Sequence, residues 1–183
     1  MPADPTRYLA LEGPDGSAKS THSDALAAAL RERGYDATSW HHEPHPDGAA
    51  GLARVAHYIA ARRALLLSPP AAVTVLDRGP MSGVVYARSM WLAFVPYAET
   101  GMCEAAFDAS HWWSGLPLVV LDAPDAELDA RLAARGEDPS LSHPERREWR
   151  RCAEAWGWRV VDTGRPREDV TAELVAWAIA RLA

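Results

Sequence analysis

The apolar run Tyr8-Leu9-Ala10-Leu11 leads, through Glu12, into Gly13-Pro14-Asp15-Gly16-Ser17-Ala18-Lys19-Ser20-Thr21. From Ser20 onward Ala25, Leu26, Ala29 and Leu30 fall at helical spacing. A strand, a glycine-bearing turn and a helix N-terminus in that order aim several backbone N–H groups at one point, where an anion can sit. The spelling matches the phosphate-loop pattern G-x4-G-K-[ST] from Gly13 to Ser20, except that Ala18 replaces the second glycine. In that pattern Gly13, Asp15, Gly16, Ser17, Ala18 and Thr21 shape the cradle, Lys19 reaches the outer phosphates and the Ser20 hydroxyl ligates Mg²⁺. The alternative is a plain glycine turn capped by Ser20 or Thr21. Ala18 poses a conformational question: alanine costs little at negative φ and about 1 kcal/mol or more at positive φ.

At 183 residues the chain suits one domain with a full core, and 48% hydrophobic and 24% charged residues are ordinary for a globular protein. The net charge of −6 argues against an overall nucleic-acid binder, while leaving a local basic groove open. Cys103 and Cys152 match no metal spacing and read as thiols in a reducing compartment. The polar, proline-broken start and the lack of an apolar run of about 18 residues give neither a leader nor a membrane span, so the expected location is the cytoplasm.

Strand and helix patterns alternate. Strands are expected at Arg7–Glu12, Asp36–Trp40, Val73–Asp77, Leu116–Leu121 and Trp158–Val161, three of them with the wholly apolar centre of a buried parallel strand. Helices are expected at Lys19–Arg33, Ala50–Leu67, Ser82–Phe94, Glu99–His111, Ala126–Arg135, Glu145–Trp156 and Arg167–Leu182, with Gly34 capping the first and Pro69-Pro70 ending the second. This order implies an α/β fold: a five-stranded parallel sheet with helices on both faces and ligands at the strands' carboxyl ends. Residues 136–144, Gly-Glu-Asp-Pro-Ser-Leu-Ser-His-Pro, read as an irregular flap between two helices.

The third strand ends in Asp77-Arg78-Gly79-Pro80-Met81-Ser82-Gly83-Val84-Val85-Tyr86. At the carboxyl end of a buried strand, Asp77 can hold Mg²⁺ or its waters and Arg78 can clamp a phosphate; the plainer reading is an ion pair capping the next helix. This stretch resembles the D-R-[YF]-x-x-S-x-x-[AY]-[YF] motif of the thymidylate kinase family of P-loop nucleoside monophosphate kinases. Glu12 to Thr21 is similar to that family's E-G-x-D-G-x-G-K-[ST]-T, and His42-Glu43-Pro44 to its R-E-P. Tyr58-Ile59-Ala60-Ala61-Arg62 resembles F-x-A-x-R, and Gly115-Leu116-Pro117 with the following strand resembles a shortened G-L-P-x-P-D-x-x-x-x-L-D. Arg131 and Arg135-Gly136 resemble R-x-x-x-R-G, and Val161-Asp162-Thr163 resembles V-D-A.

The resemblance implies one P-loop kinase domain over residues 1–183, with a short lid at about 136–150, that uses ATP and Mg²⁺ on a small nucleotide. It implies that the phosphate loop holds ATP, that Ser20 and Asp77 serve the metal, and that Arg131 and Thr163 flank the donor. Lys19, Arg78, Asp77 and Arg135 would serve the transfer itself. Asp15 would meet a deoxyribose 3′-hydroxyl, Glu43, Tyr58 and Arg62 would meet the acceptor, and Ser82 and Tyr86 would wall the base pocket. The implied reaction is phosphoryl transfer to a pyrimidine deoxynucleoside monophosphate, dTMP or a modified dUMP.

The departures are Ala18, His42 for the arginine of R-E-P, Gly79-Pro80 for the aromatic after Asp-Arg, and a flap at Gly136–Pro144 without arginine. They keep two other readings open: a kinase of a deoxynucleoside or of a hydroxymethylated pyrimidine in nucleotide or DNA, and a catalytically weak nucleotide-binding relative. His41, His42 and His45 read as solvated loop histidines rather than a metal site. The run Glu145-Arg146-Arg147-Glu148-Trp149-Arg150-Arg151 reads as a solvated, salt-bridged helix face. Trp112-Trp113 reads as core or interface, and Met90, Trp91 and Phe94 suit either a homodimer face or monomer core.

Overall fold

The computed structural model describes residues 7–41, 73–94 and 116–183. Five strands lie in these residues: β1 (Tyr8–Glu12), β2 (Ala37–Trp40), β3 (Val73–Asp77), β4 (Leu118–Asp122) and β5 (Val160–Asp162). The helices are α1 (Lys19–Glu32), α2 (Pro80–Phe94), α3 (Asp125–Ala134), α4 (His143–Trp156) and α5 (Arg167–Leu182). The expected helices Ala50–Leu67 and Glu99–His111 lie outside the described residues, as do Trp112-Trp113 and Cys103 and the side chains of Met90, Trp91 and Phe94.

All strand pairs are parallel, in the order β2-β3-β1-β4-β5. The central strand β1 is buried along its whole length, which is why it reads as a continuous apolar run. Successive side chains of a strand point to opposite faces, and β1 feeds two cores in this way. Leu9 and Leu11 pack with Leu26, Ala27 and Leu30 of α1 and with Val170, Leu174 and Trp177 of α5. Tyr8 and Ala10 face the other side, where Met81, Val84 and Val85 of α2 meet Trp149 and Cys152 of α4 across Val120. Helices therefore cover both faces, as the alternation of patterns requires.

The expected boundaries hold to within one or two residues, with two consistent shifts. β4 and β5 each start two residues later than the apolar pattern suggests and run one residue further, to Asp122 and Asp162. The last strand residue is thus a carboxylate, because its side chain has reached the solvent-facing edge of the sheet. The flap is also more ordered than its composition implies. Residues Pro139–Ser142 form a 3-10 turn, and Asp138 accepts hydrogen bonds from the Ser140 N–H (2.9 Å) and hydroxyl (2.8 Å). Pro144 then occupies the first turn of α4, where its missing N–H costs nothing.

The turn after β1 is held tightly against β4. Gly13 has φ of +134°, and a Cβ there would lie 2.1 Å from the Leu121 carbonyl oxygen. Only glycine admits both the backbone conformation and the approach.

Candidate active site

Five parallel strands put their carboxyl ends on one edge of the sheet. That edge gathers the 13–18 loop after β1, His41 after β2, Asp77 and Arg78 at the end of β3, Asp122 at the end of β4 and Thr163 after β5.

The loop closes around Lys19, which is only 5% exposed. Its ammonium donates to the carbonyls of Gly13 (2.8 Å) and Pro14 (2.7 Å), with Ser17 Oγ at 3.3 Å. Burial, helped by the neighbouring Arg78 charge, pulls its pKa down to about 8. Ala18 sits at φ 62°, ψ 29°, the left-handed region, so alanine there carries a strain of about 1–2 kcal/mol. The second non-glycine residue with positive φ among the described residues is Arg78, at 69°. Both strained residues lie at this edge. No side chain caps α1, and Ser20 and Thr21 are exposed within its first turn. A cap from the N-cap residue is absent among the described residues, and a helix N-terminus of this kind is where an anion can be met.

Across from the loop, Arg78 Nη2 pairs with Asp15 Oδ1. Burial opposes ionisation of Asp15, but the charges of Arg78 and Lys19 outweigh it and hold the carboxyl at about 2. Glu145, from the start of α4, comes to the same place: Oε1 accepts from Trp149 Nε1 (3.2 Å) and Oε2 from the Asp15 N–H (3.4 Å). It is 5% exposed, and burial together with the Asp15 charge raises its pKa above the ordinary glutamate value. A cavity of about 520 Å³ opens beside these groups, between Asp15, Tyr86 and Ser89 of α2, Leu132 of α3 and the segment from Glu137 to Glu145.

Asp77 is nearly buried. Its Oδ2 lies 3.0 Å from His41 Nδ1, and its Oδ1 is buried without a hydrogen-bond partner among the described residues. His41 Nε2 lies 2.8 Å from Asp24 Oδ1, and the hydrogen bonds to Asp77 and Asp24 raise the His41 pKa against the effect of burial. An orphaned buried carboxylate oxygen fits a cation. No group of three or more acidic, histidine or cysteine side chains able to cage a metal occurs among the described residues. Mg²⁺ takes one or two carboxylates and completes its shell with water and phosphate, and Asp77 and Ser20 are the residues at this edge that could serve it.

Arg131 braces the far side of the loop. Its guanidinium donates to the Gly16 carbonyl (3.2 Å), the Thr163 hydroxyl (3.3 Å) and the Thr163 carbonyl (2.7 Å), while Glu127 holds Nε at 2.9 Å. Thr163 in turn donates from its hydroxyl to the Asp122 carbonyl (3.0 Å). Arg135 is half exposed and paired with Glu137 at 2.9 Å. The Ser82 hydroxyl donates to Glu12 Oε2 (2.5 Å), and Glu12 Oε1 accepts from the Met81 N–H (2.8 Å), so the buried Glu12 caps α2. A Cβ on Gly79 would come within 2.7 Å of Glu12 Oε1 and 2.8 Å of the Ala10 Cβ. No residue with a side chain fits between Arg78 and α2. Of the residues singled out in the sequence, Glu43, Tyr58 and Arg62 lie outside the described residues, as do His42 and His45.

Three groups at this edge escape pattern reading. Glu12 ends an apolar strand, a place where a buried carboxylate needs a donor, and only the fold supplies Met81 and Ser82. His41 is exposed and in a loop, as its sequence reads, but it also bridges two carboxylates. The 145–151 run is salt-bridged as expected, and Arg147, Arg150 and Arg151 are exposed, but the rest of it is not solvated. Glu145, Arg146 and Glu148 are buried, Arg146 at 1% exposed, because this face of α4 packs on α2 and α3. Arg146 pairs with Asp129 (2.7 Å) and Glu148 with Arg88 (2.9 Å) and Arg151 (2.7 Å). Cys152 is a buried free thiol, pushed up to about 12 by burial and by Glu148.

No family model matches the chain. It is 36% identical to a thymidylate kinase of Pseudomonas putida (strain W619) over 113 residues, 59% of this chain and 49% of that relative. It is 45% identical to a thymidylate kinase of Rhizorhabdus wittichii over 51 residues, 28% of this chain and 24% of that relative. The chain thus spans half or less of the length of these curated relatives. In structure it is similar to deoxyadenosine kinase from M. mycoides with bound dCTP, with TM-score 0.71 at 14% identity, over 94% of this chain and 99% of that chain. The same enzyme with bound dATP gives a TM-score of 0.66 at 14% identity, covering 92% and 97%. The fold is thus that of this deoxyadenosine kinase, and part of the sequence is similar to thymidylate kinases.

Two outcomes follow from this geometry. Ala18→Gly removes left-handed strain and should stabilise the protein by about 1 kcal/mol, read as a Tm higher by roughly 2–4 °C; a lower Tm contradicts the Ala18 conformation. Glu145→Gln keeps an acceptor for Trp149 and removes a buried charge. Below about pH 4 the carboxyl is protonated in both folded and unfolded chains, so it carries no charge penalty. As pH rises from the ordinary glutamate value towards the raised folded one, the unfolded chain ionises first and the folded state loses stability, the loss being complete above the folded value. The variant should therefore melt higher than the parent at pH 7.5, with the advantage gone at pH 4. Equal melting across that range contradicts the burial of an ionised Glu145.

Proposed function

We propose that this chain is a single P-loop nucleotide kinase domain that transfers the γ-phosphoryl group of Mg·ATP to a pyrimidine deoxynucleoside monophosphate, giving the diphosphate. The observation that carries the reading is the pairing of two sites on one sheet edge: a phosphate loop closed on Lys19, and Asp77-Arg78 at the end of the neighbouring strand. The similarity to thymidylate kinases over 113 residues supports the acceptor.

Phosphoryl transfer asks little covalent chemistry of a protein; it needs alignment and positive charge around the equatorial oxygens. Bound Mg·ATP supplies the phosphoryl group and a metal that spreads its charge. The chain supplies the rest. The loop N–H groups and Lys19 hold the donor phosphates, the ammonium exchanging its carbonyl partners for phosphate oxygens. Ser20 and Asp77 hold the metal. Arg78, positioned by Asp15, meets the transferring group or the acceptor phosphate. Arg131 and Thr163 set the donor side of the loop, and Arg135 approaches from the lid, which covers about residues 136–150. Glu43, Tyr58, Arg62, Ser82 and Tyr86 form the acceptor side, and Asp15 meets the sugar hydroxyl. The working partner is a small nucleotide, and the working location is the cytoplasm. No helix of the described residues is long and apolar enough to cross a membrane.

One observation bears on a second acceptor. The cavity beside the loop is lined by Asp15, Glu137, Asp138 and Glu145; Arg78 offsets Asp15 and Arg135 offsets Glu137, which leaves Asp138 and Glu145 to disfavour a phosphate dianion relative to a neutral hydroxyl, on a deoxynucleoside or a hydroxymethylated pyrimidine.

Incubation with Mg·ATP and dTMP, dUMP, 5-hydroxymethyl-dUMP, thymidine or a hydroxymethylated DNA duplex, followed by phosphorus NMR, separates these readings. The expected product is a new diphosphate from one pyrimidine monophosphate, lost by roughly 100-fold or more in Arg78→Ala. Product from thymidine or DNA alone selects the second reading. Full activity in Arg78→Ala removes Arg78 from the site.

A further inference from the structure

His41 closes β2 and lies between two carboxylates from different elements. Nδ1 is 3.0 Å from Asp77 Oδ2 at the end of β3, and Nε2 is 2.8 Å from Asp24 Oδ1 on α1. Asp24 also accepts a hydrogen bond from the Ser39 hydroxyl at 2.6 Å, which fixes it against β2. The ring is therefore pinned at both ends and has no nitrogen left to ligate a metal. The Asp77 carboxylate is fixed as a consequence. A carboxylate's terminal torsion is broad, so an untethered Asp77 would spread its oxygens over many orientations. With Oδ2 held by His41, Oδ1 has one place, and in that place it is buried with no hydrogen-bond partner among the described residues.

We propose that His41 is a positioning residue for the metal site: it anchors one oxygen of Asp77 so that the other is committed to the divalent cation of a bound nucleotide, with Asp24 holding the imidazole from behind. The inference rests on the nucleotide-binding reading above and extends it to two residues outside every motif described here. The physical reason is general. Metal-ligating groups are oriented by hydrogen-bonded neighbours, and loss of such a neighbour costs roughly 10–100-fold in metal affinity. An arrangement that served only to join strands would gain nothing from leaving a buried carboxylate oxygen unpaired, because that costs stability.

The test is a Mn²⁺ titration of the protein·ADP complex, with free Mn²⁺ followed by electron paramagnetic resonance. ADP affinity is measured separately in EDTA, and folding is checked by melting. His41→Ala should weaken Mn²⁺ by roughly 10–100-fold with ADP affinity in EDTA unchanged. His41→Asn, which can keep a donor near the position of Nδ1, should recover most of the loss. Asp24→Ala, on the exposed side of the ring, should fall between parent and His41→Ala. Parental Mn²⁺ affinity in His41→Ala or in Asp24→Ala overturns the proposal while leaving the nucleotide-binding reading intact. If the parent protein binds neither ADP nor Mn²⁺·ADP, both fail together.

Discussion

The loop between β1 and α1 is built around one buried ammonium. Lys19 satisfies its charge with the carbonyls of Gly13 and Pro14 and with Ser17, and those contacts bend the chain back over the N-terminus of α1. A buried cation without such partners would be costly, so the loop and Lys19 fix each other's geometry. The same contacts explain why Gly13 must press against the Leu121 carbonyl of β4 and why Ala18 is driven into the left-handed region. The strain at Ala18 is small against the packing of a fully buried central strand, and the fold carries it.

Around this centre the charges are arranged in opposition. Lys19 and Arg78 face Asp15, Asp77 and Glu145, and the proton affinities of Lys19, Asp15 and Glu145 follow from who is buried beside whom. Asp15 stays ionised because two cations flank it. Glu145 is penalised because it is buried next to Asp15. Lys19 is loosened by burial and by Arg78, yet remains charged below about pH 8. On the proposed function, such a site takes an incoming polyphosphate by exchanging internal partners rather than by recruiting distant ones. The strained backbone at Ala18 and Arg78, both at this edge, is consistent with the storage of strain at functional positions.

Much of this was legible in the sequence, for identifiable reasons. The parallel sheet follows from three short apolar runs separated by helical patterns, and the loop from glycine, lysine and hydroxyl spacing. Arg131 and Thr163 appear only as isolated matches along the chain, and the fold brings them together against Gly16. What escaped reading depends on long-range pairing. Nothing local shows that Glu12 will meet Met81 and Ser82, seventy residues on, or that His41 will lie between Asp24 and Asp77. The 145–151 run has the charge spacing of a surface helix, and its burial reflects partners on α2 and α3 that only the packing supplies. The φ of Ala18 is likewise set by the loop's closure on Lys19 and by its contact with β4.

If this loop, alanine included, binds nucleotide phosphates through Lys19, calorimetric titration with Mg·ATP, alongside Lys19→Ala, gives saturable one-to-one binding by the parent protein. The variant then loses affinity by at least about tenfold, the effect of removing one charge-assisted contact worth roughly 1.5–3 kcal/mol. No binding by the parent, or equal binding by both, would contradict it.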